Sequence, residues 1–189
     1  MFLDVARDRY FTLPLPDSKH SGGDAAGCAL AACRPLGGPV KDAIACHHPA
    51  AIGSAFDSPA YHVHRILALS VLFWLAGQHL TVRSGSLETA LARLSGARNR
   101  RPSVHEDAAG LHAIAATHNW TRRFLLPNDQ CLVRALALAR HATAAGYGID
   151  LVFGVKLRPF EAHCWVEHRG VVLDDHLDHV RRYTPILVI

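Results

Sequence analysis

The clearest hydrophobic periodicity lies between Gln130 and Ala145, where Leu132, Ala135, Leu136 and Ala139 share one helical stripe and Gly146 follows as a C-terminal stop. Immediately after it the period changes. "DLVFGVKL" is an apolar run of strand length containing one glycine, "AHCWVEHR" reads as a second strand and "VVLDD" as a third, with Arg169-Gly170 placed for a tight turn. Upstream, "AYHVHRILALSVLFWLAGQHL" and "SLETALARLSG" carry a helical period from Ala60 to about Leu94. There Ser86 with Thr89 suits a helix start, Gly96 suits a stop, and "SGARNRRPS" reads as a polar connector. A further helix is expected from near Glu106 to Phe124, interrupted by Pro127-Asn128-Asp129. Helices followed by an antiparallel sheet make an α+β fold.

The amino-terminal third is less regular. "FLDVARDRYFTLP", Phe2 to Pro14, reads as two short strands around Ala6 to Arg9. Pro14 to Pro59 is rich in Gly, Pro, Ala and Ser and fits short helices or a poorly packed linker. The longest apolar run, "ILALSVLFWLAG" from Ile66 to Gly77, has 12 residues. A bilayer span needs about twenty, so the run is expected to be a buried helix rather than a membrane anchor.

Composition narrows the class. A chain of 189 residues, 50% apolar and 19% charged, can bury a sizeable core in one domain or in a domain with a small module. The net charge of +4 is modest. Arg93, Arg98, Arg100 and Arg101 cluster in one connector without interleaved aromatic residues, which gives no support to a nucleic-acid partner. Five cysteines, an odd number, and no apolar signal segment after Met1 point to a cytoplasmic protein with free thiols. Cys28, Cys33, Cys46, His47 and His48 form a C-x4-C-x12-C-H-H set, a spacing that misses the tight pairs of structural zinc. No metal or other cofactor is expected.

Candidate chemistry centres on Cys131, in the first turn of its helix with Asn128 or Asp129 available as N-cap. Unpaired N–H groups and the helix dipole favour a thiolate there. His163 on the following sheet could hold that thiolate and protonate a leaving amine, and a carboxylate on the next strand could orient the imidazole. The competing reading is an inert core thiol, since cysteine is among the most buried residue types. Side-chain parity bears on the carboxylate. In an ideal two-residue hairpin Asp174 shares the face of His163, and Asp175 does so only if a bulge or longer turn shifts the register. Trp165 and Phe160 could wall a substrate groove or simply fill the core. Glu167 suits an ion pair with Arg134 or Arg158, and Gln130 could assist an oxyanion.

"CLVRALAL" followed by "LVFGVKLRPFEAHCWVEHRGVVLDD" resembles the lasso peptide biosynthesis B proteins. The elements carrying the resemblance are Cys131-Leu132, Gly154-Val155, Pro159-Phe160, the His163-Cys164-Trp165-Val166-Glu167 strand and Asp175. The resemblance covers residues 60–189 and is strongest from Gln130 onward. It implies a transglutaminase-like, papain-related cysteine peptidase domain over 60–189, with Cys131 as nucleophile, His163 as general base and acid, and Asp175 as orienting carboxylate. Its substrate would be the leader region of a ribosomally made lasso precursor. Its partner would be an asparagine-synthetase-like cyclase, the enzyme that spends ATP. Residues 1–59 would hold a shortened, winged-helix-like precursor-recognition element, with "FLDVARDRYFTLP" similar to its second and third strands. The rival readings are a transglutaminase-like acyltransferase and a non-catalytic leader-binding module.

Overall fold

The computed structural model describes residues 2–4, 9–11, 48–57, 65–100, 108–125 and 130–189. Near the amino terminus, β1 (Phe2–Asp4) and β2 (Arg9–Phe11) pair antiparallel with Phe2 opposite Phe11, which is the hairpin expected from the sequence. A two-residue strand, β3 (Gly53–Ser54), and a 3₁₀ turn (Ala55–Asp57) precede four helices: α1 (Arg65–Ser84), α2 (Leu87–Arg100), α3 (Ala108–Leu125) and α4 (Cys131–Ala144). The chain then forms β4 (Asp150–Leu157), β5 (Phe160–His168), β6 (Val171–Val172), a short helix α5 (Leu177–Val180) and β7 (Thr184–Val188). The result is an α+β protein whose second sheet has the strand order β3-β6-β5-β4-β7. All neighbours in it are antiparallel except β3 with β6.

Alternation along β4 and β5 sorts the core into two faces. Leu151, Phe153, Cys164 and Val166 face the helical layer, whereas Val152, Trp165 and Val172 pack with Val180 and Tyr183 on the other side. Helix α4 lies between the sheet and the other helices. Its alanines at 135, 137, 139 and 142 are fully buried, and side chains that small let neighbouring elements approach from several directions. The helix ends in paired bonds from Gly146 N–H to Thr143 O and from Tyr147 N–H to Ala142 O, with Gly146 at φ 87°.

Three expectations need correction. The apolar run on α1 is not buried all round: Val71 and Leu75 are inside, but Leu69 and Phe73 are more than 70% exposed, because α1 meets α3 and α4 on one side only. Gly96 does not stop a helix; α2 runs through it to Arg100, absorbing two thirds of the supposed connector. A glycine without left-handed φ costs a helix only about 1 kcal/mol relative to alanine. Finally, β3 and β7 add sheet edges that the pattern did not reveal. The expected boundary between residues 1–59 and 60–189 falls where little is described. Among the described residues, no helix is long and apolar enough to cross a membrane.

Candidate active site

Cys131 opens α4. Gln130 occupies the N-cap position with φ −102° and ψ 44° and makes no side-chain capping bond; the expected caps, Asn128 and Asp129, lie outside the described residues. The Gln130 Oε1 atom is buried and has no hydrogen-bond partner among the described residues. The Cys131 thiol hydrogen-bonds with Cys164 and His163. Donation from Cys164 is the largest influence and, with the bond and charge of His163, it outweighs burial and lowers the Cys131 pKa to about 4. Of the two thiols, Cys164 is the one that keeps its proton, because it donates to the Cys131 sulfur and is itself buried.

His163 stands on β5 with its Nε2 donating to Asp175 Oδ2 over 2.7 Å, each side chain being 12% exposed. Burial opposes charge on this imidazole. Its bonds and attractions to Asp175 and Cys131 together prevail and raise its pKa to about 9. With Nε2 committed to the carboxylate, Nδ1 is left for the thiol. At neutral pH the site is therefore a thiolate–imidazolium pair.

Asp175 is held from several sides. Its Oδ1 accepts the His176 backbone N–H at 2.7 Å, and its own backbone carbonyl accepts the Ser54 hydroxyl at 2.6 Å. Burial works against its charge, but donation from His163, His179 and the His176 N–H outweighs this and holds the carboxyl well below its usual range. Asp174 is buried on the helical side, sharing a small cavity with His118, Asn119 and Arg134. Its Oδ1 accepts the Val166 N–H at 2.9 Å, and burial pushes its pKa up to about 6.

The route by which Asp175 reaches His163 differs from the one expected. No bulge or longer turn is present: Arg169 and Gly170, at φ 51° and 79°, make a two-residue turn, and Glu167 pairs with Val172 in ideal register. Instead β6 stops at Val172 and the chain bends through Leu173–Asp175, so strand parity no longer applies. The bend is anchored by Asn119 Nδ2, which donates to Leu173 O at 2.9 Å.

Other candidates resolve more simply. Trp165 is only 2% exposed and serves as core: its ring stacks on His163 with centroids 5.9 Å apart, and its Nε1 donates to Glu167 Oε1 at 2.6 Å. Phe160 is half exposed. Glu167 does not pair with Arg134 or Arg158. Its second oxygen meets His48 Nε2 at 2.9 Å, because Arg134 belongs to the helix across the opposite face and Arg158 to the turn before β5, at the end away from Glu167. Of the cysteine–histidine set, Cys28, Cys33, Cys46 and His47 lie outside the described residues.

Sequence reasoning missed His179 and Tyr183. His179 Nδ1 donates to the same Asp175 Oδ2 at 2.8 Å. Tyr183 lies 3.4 Å from His179 Nε2 and donates its hydroxyl to Glu161 Oε2 at 2.9 Å. Burial, with Glu161 beside it, pushes the Tyr183 pKa up to about 12. The available signal was the spacing of His179 from Asp175, four residues along a helix start, which brings side chains together.

A helix-borne thiolate, an imidazole on a strand and a carboxylate behind it can attack a carbonyl, hold the acyl group and return a proton to the leaving amine. A family model for the transglutaminase-like superfamily matches residues 74–188, a span that contains all three side chains. The chain belongs to that superfamily, whose membership suggests cysteine protease or acyltransferase chemistry. No curated protein and no solved structure matches the chain.

Proposed function

We propose that the protein is a cysteine peptidase that removes the leader from a ribosomally made lasso precursor before ring closure. The observation that carries the catalytic part is the contact series from Cys131 through His163 to Asp175. The substrate part rests on the Cys131-Leu132, Pro159-Phe160 and His163-to-Glu167 motifs. In this reading Cys131 attacks the scissile carbonyl, and His163 gives its proton to the departing core amine. The same imidazole then takes a proton from the water that releases the leader as a free carboxylate, while Asp175 stabilises its charged form. The freed amine passes to an asparagine-synthetase-like cyclase, which spends ATP. The β1–β2 hairpin is assigned to leader recognition by strand addition.

The test is mass spectrometry of a precursor incubated with wild-type protein and with Cys131→Ala. The expected result is a free leader acid and a free core amine from wild type, and uncut precursor bound by the variant. Normal cleavage by Cys131→Ala would remove the mechanism. Isopeptide product without free leader acid would replace hydrolysis by acyl transfer.

A further inference from the structure

His179 shares the carboxylate oxygen that orients His163, so a third donor stands beside the base and its carboxylate. We propose that His163, Asp175 and His179 form a binding site for a zinc-type divalent cation, and that occupancy switches the thiol centre off. The switch rests on the peptidase reading above; binding of the cation does not.

The geometry comes first. His163 Nε2 and His179 Nδ1 lie 2.7 and 2.8 Å from Asp175 Oδ2, and the three donor atoms are all within 4.8 Å of one another. Tetrahedral zinc with bonds of about 2.0–2.1 Å places its donors roughly 3.3 Å apart. Opening the two short contacts by about half an ångström therefore admits the ion. Two imidazoles and one carboxylate suit zinc or a similar transition ion better than magnesium or calcium, which prefer all-oxygen shells. A water would complete the shell. His179, with a side chain 38% exposed, gives the approach from solvent.

The surrounding hydrogen bonds match the tautomers that a metal requires. An ion on His179 Nδ1 leaves the proton on Nε2, which faces the Tyr183 oxygen at 3.4 Å. Tyr183 can accept there because its own hydroxyl proton goes to Glu161. An ion on His163 Nε2 likewise leaves the proton on Nδ1, toward the Cys131 sulfur. Asp175 Oδ1 remains bonded to the His176 N–H. Ligands whose second atoms are already held in this way are oriented for a metal.

Inhibition follows from proton bookkeeping. Catalysis needs His163 to give its Nδ1 proton to the leaving amine and then recover one. With zinc on Nε2 that release would leave an imidazolate on the metal, so the step stalls.

The experiment uses full-length protein titrated with zinc by calorimetry, and with cobalt(II) followed by visible absorption. Wild type and Cys131→Ala should bind zinc equally at this site, without a sulfur-to-cobalt charge-transfer band from it. His179→Gln should lose about tenfold or more in affinity, and His179→Cys should restore binding and introduce that band. Zinc should abolish cleavage by wild type, reversibly with a chelator. Undiminished zinc affinity in His179→Gln, or loss of binding in Cys131→Ala, overturns the site. Zinc binding as described, in a wild-type protein that cleaves no precursor even with chelator, removes the peptidase reading and the switch but leaves the metal site standing.

Discussion

Adding a single methyl group at Gly154 tests how tightly the histidine is supported. Gly154 sits opposite His163 in the β4–β5 ladder, where the β4–β7 pairing also shifts register. A Cβ there would lie 2.7 and 2.8 Å from Trp165 ring carbons and 2.9 Å from Tyr183 Cβ, against 3.4–4 Å for ordinary contact. Its φ is not left-handed, so the penalty of Gly154→Ala is steric rather than conformational. Neither neighbour yields easily. The Trp165 ring is 2% exposed and tied to Glu167, and the Tyr183 contact is to the atom next to its backbone. Each must retreat by roughly 0.7 Å, and overpacking of this kind costs about 1–3 kcal/mol. For a chain of this length that is a fall in Tm of roughly 2–12 °C. Because Trp165 stacks on His163, the displacement also reaches the imidazole, and misplacement on the ångström scale costs up to about a hundredfold in turnover. Thermal melting and precursor cleavage, measured side by side, check both parts. A variant that melts with wild type and cleaves at wild-type rate refutes the packing argument; one that melts lower but keeps full turnover refutes the link from Trp165 to His163.

Two further outcomes follow from the charges. The thiolate is present above a Cys131 pKa of about 4 and its imidazolium partner below a His163 pKa of about 9, so iodoacetamide should alkylate Cys131 readily across that window. A reaction rate that climbs only as pH approaches the ordinary thiol range, about 8.5, would mean that no ion pair exists. Asp175→Asn removes the charge that supports the imidazolium and should lower turnover by about three to four orders of magnitude. Asp174→Asn retains an oxygen for the Val166 N–H and should stay near wild type; the reverse result in a paired kinetic comparison would exchange their roles.

Much of this arrangement was legible because it depends on local periodicity. The helix from Cys131 to Ala144, its glycine stop and the three strands after it are each set by short-range pattern, and so is the turn at Arg169-Gly170. The helix start at Ser86 was also readable, and Ser86 Oγ does accept the Thr89 N–H at 3.2 Å. What failed depends on tertiary context. Asp175 reaches His163 because the strand stops early and Asn119 holds the bend, and nothing in "VVLDD" announces that stop. The partner of Glu167, His48, comes from a distant segment of irregular sequence. The apolar run on α1 looked buried because composition does not say how many neighbours a helix will have. His179 was overlooked because an isolated histidine in a short helix has no periodic signature.

His163 and Asp175 are 12 residues apart, on either side of the tightest of hairpins, whereas Cys131 comes to them on a helix from another layer. Contacts so close in sequence form on the hairpin timescale, about 1–10 μs, whereas docking a helix onto a sheet must await non-local closure. The hairpin is therefore expected to bring the base and its orienting carboxylate close together early, with the Asn119 bond to Leu173 fixing their contact, and the nucleophile to arrive last. Until α4 docks, Cys131 lacks both the Cys164 donor and the imidazolium, and its thiol has the acidity of a free cysteine. Pulsed alkylation during refolding should find neutral-pH reactivity appearing only in the last phase, and reactivity already present in the earliest one would contradict this order. A chain built this way stays chemically quiet while it is incomplete, and it acquires its reactive sulfur as the final act of folding.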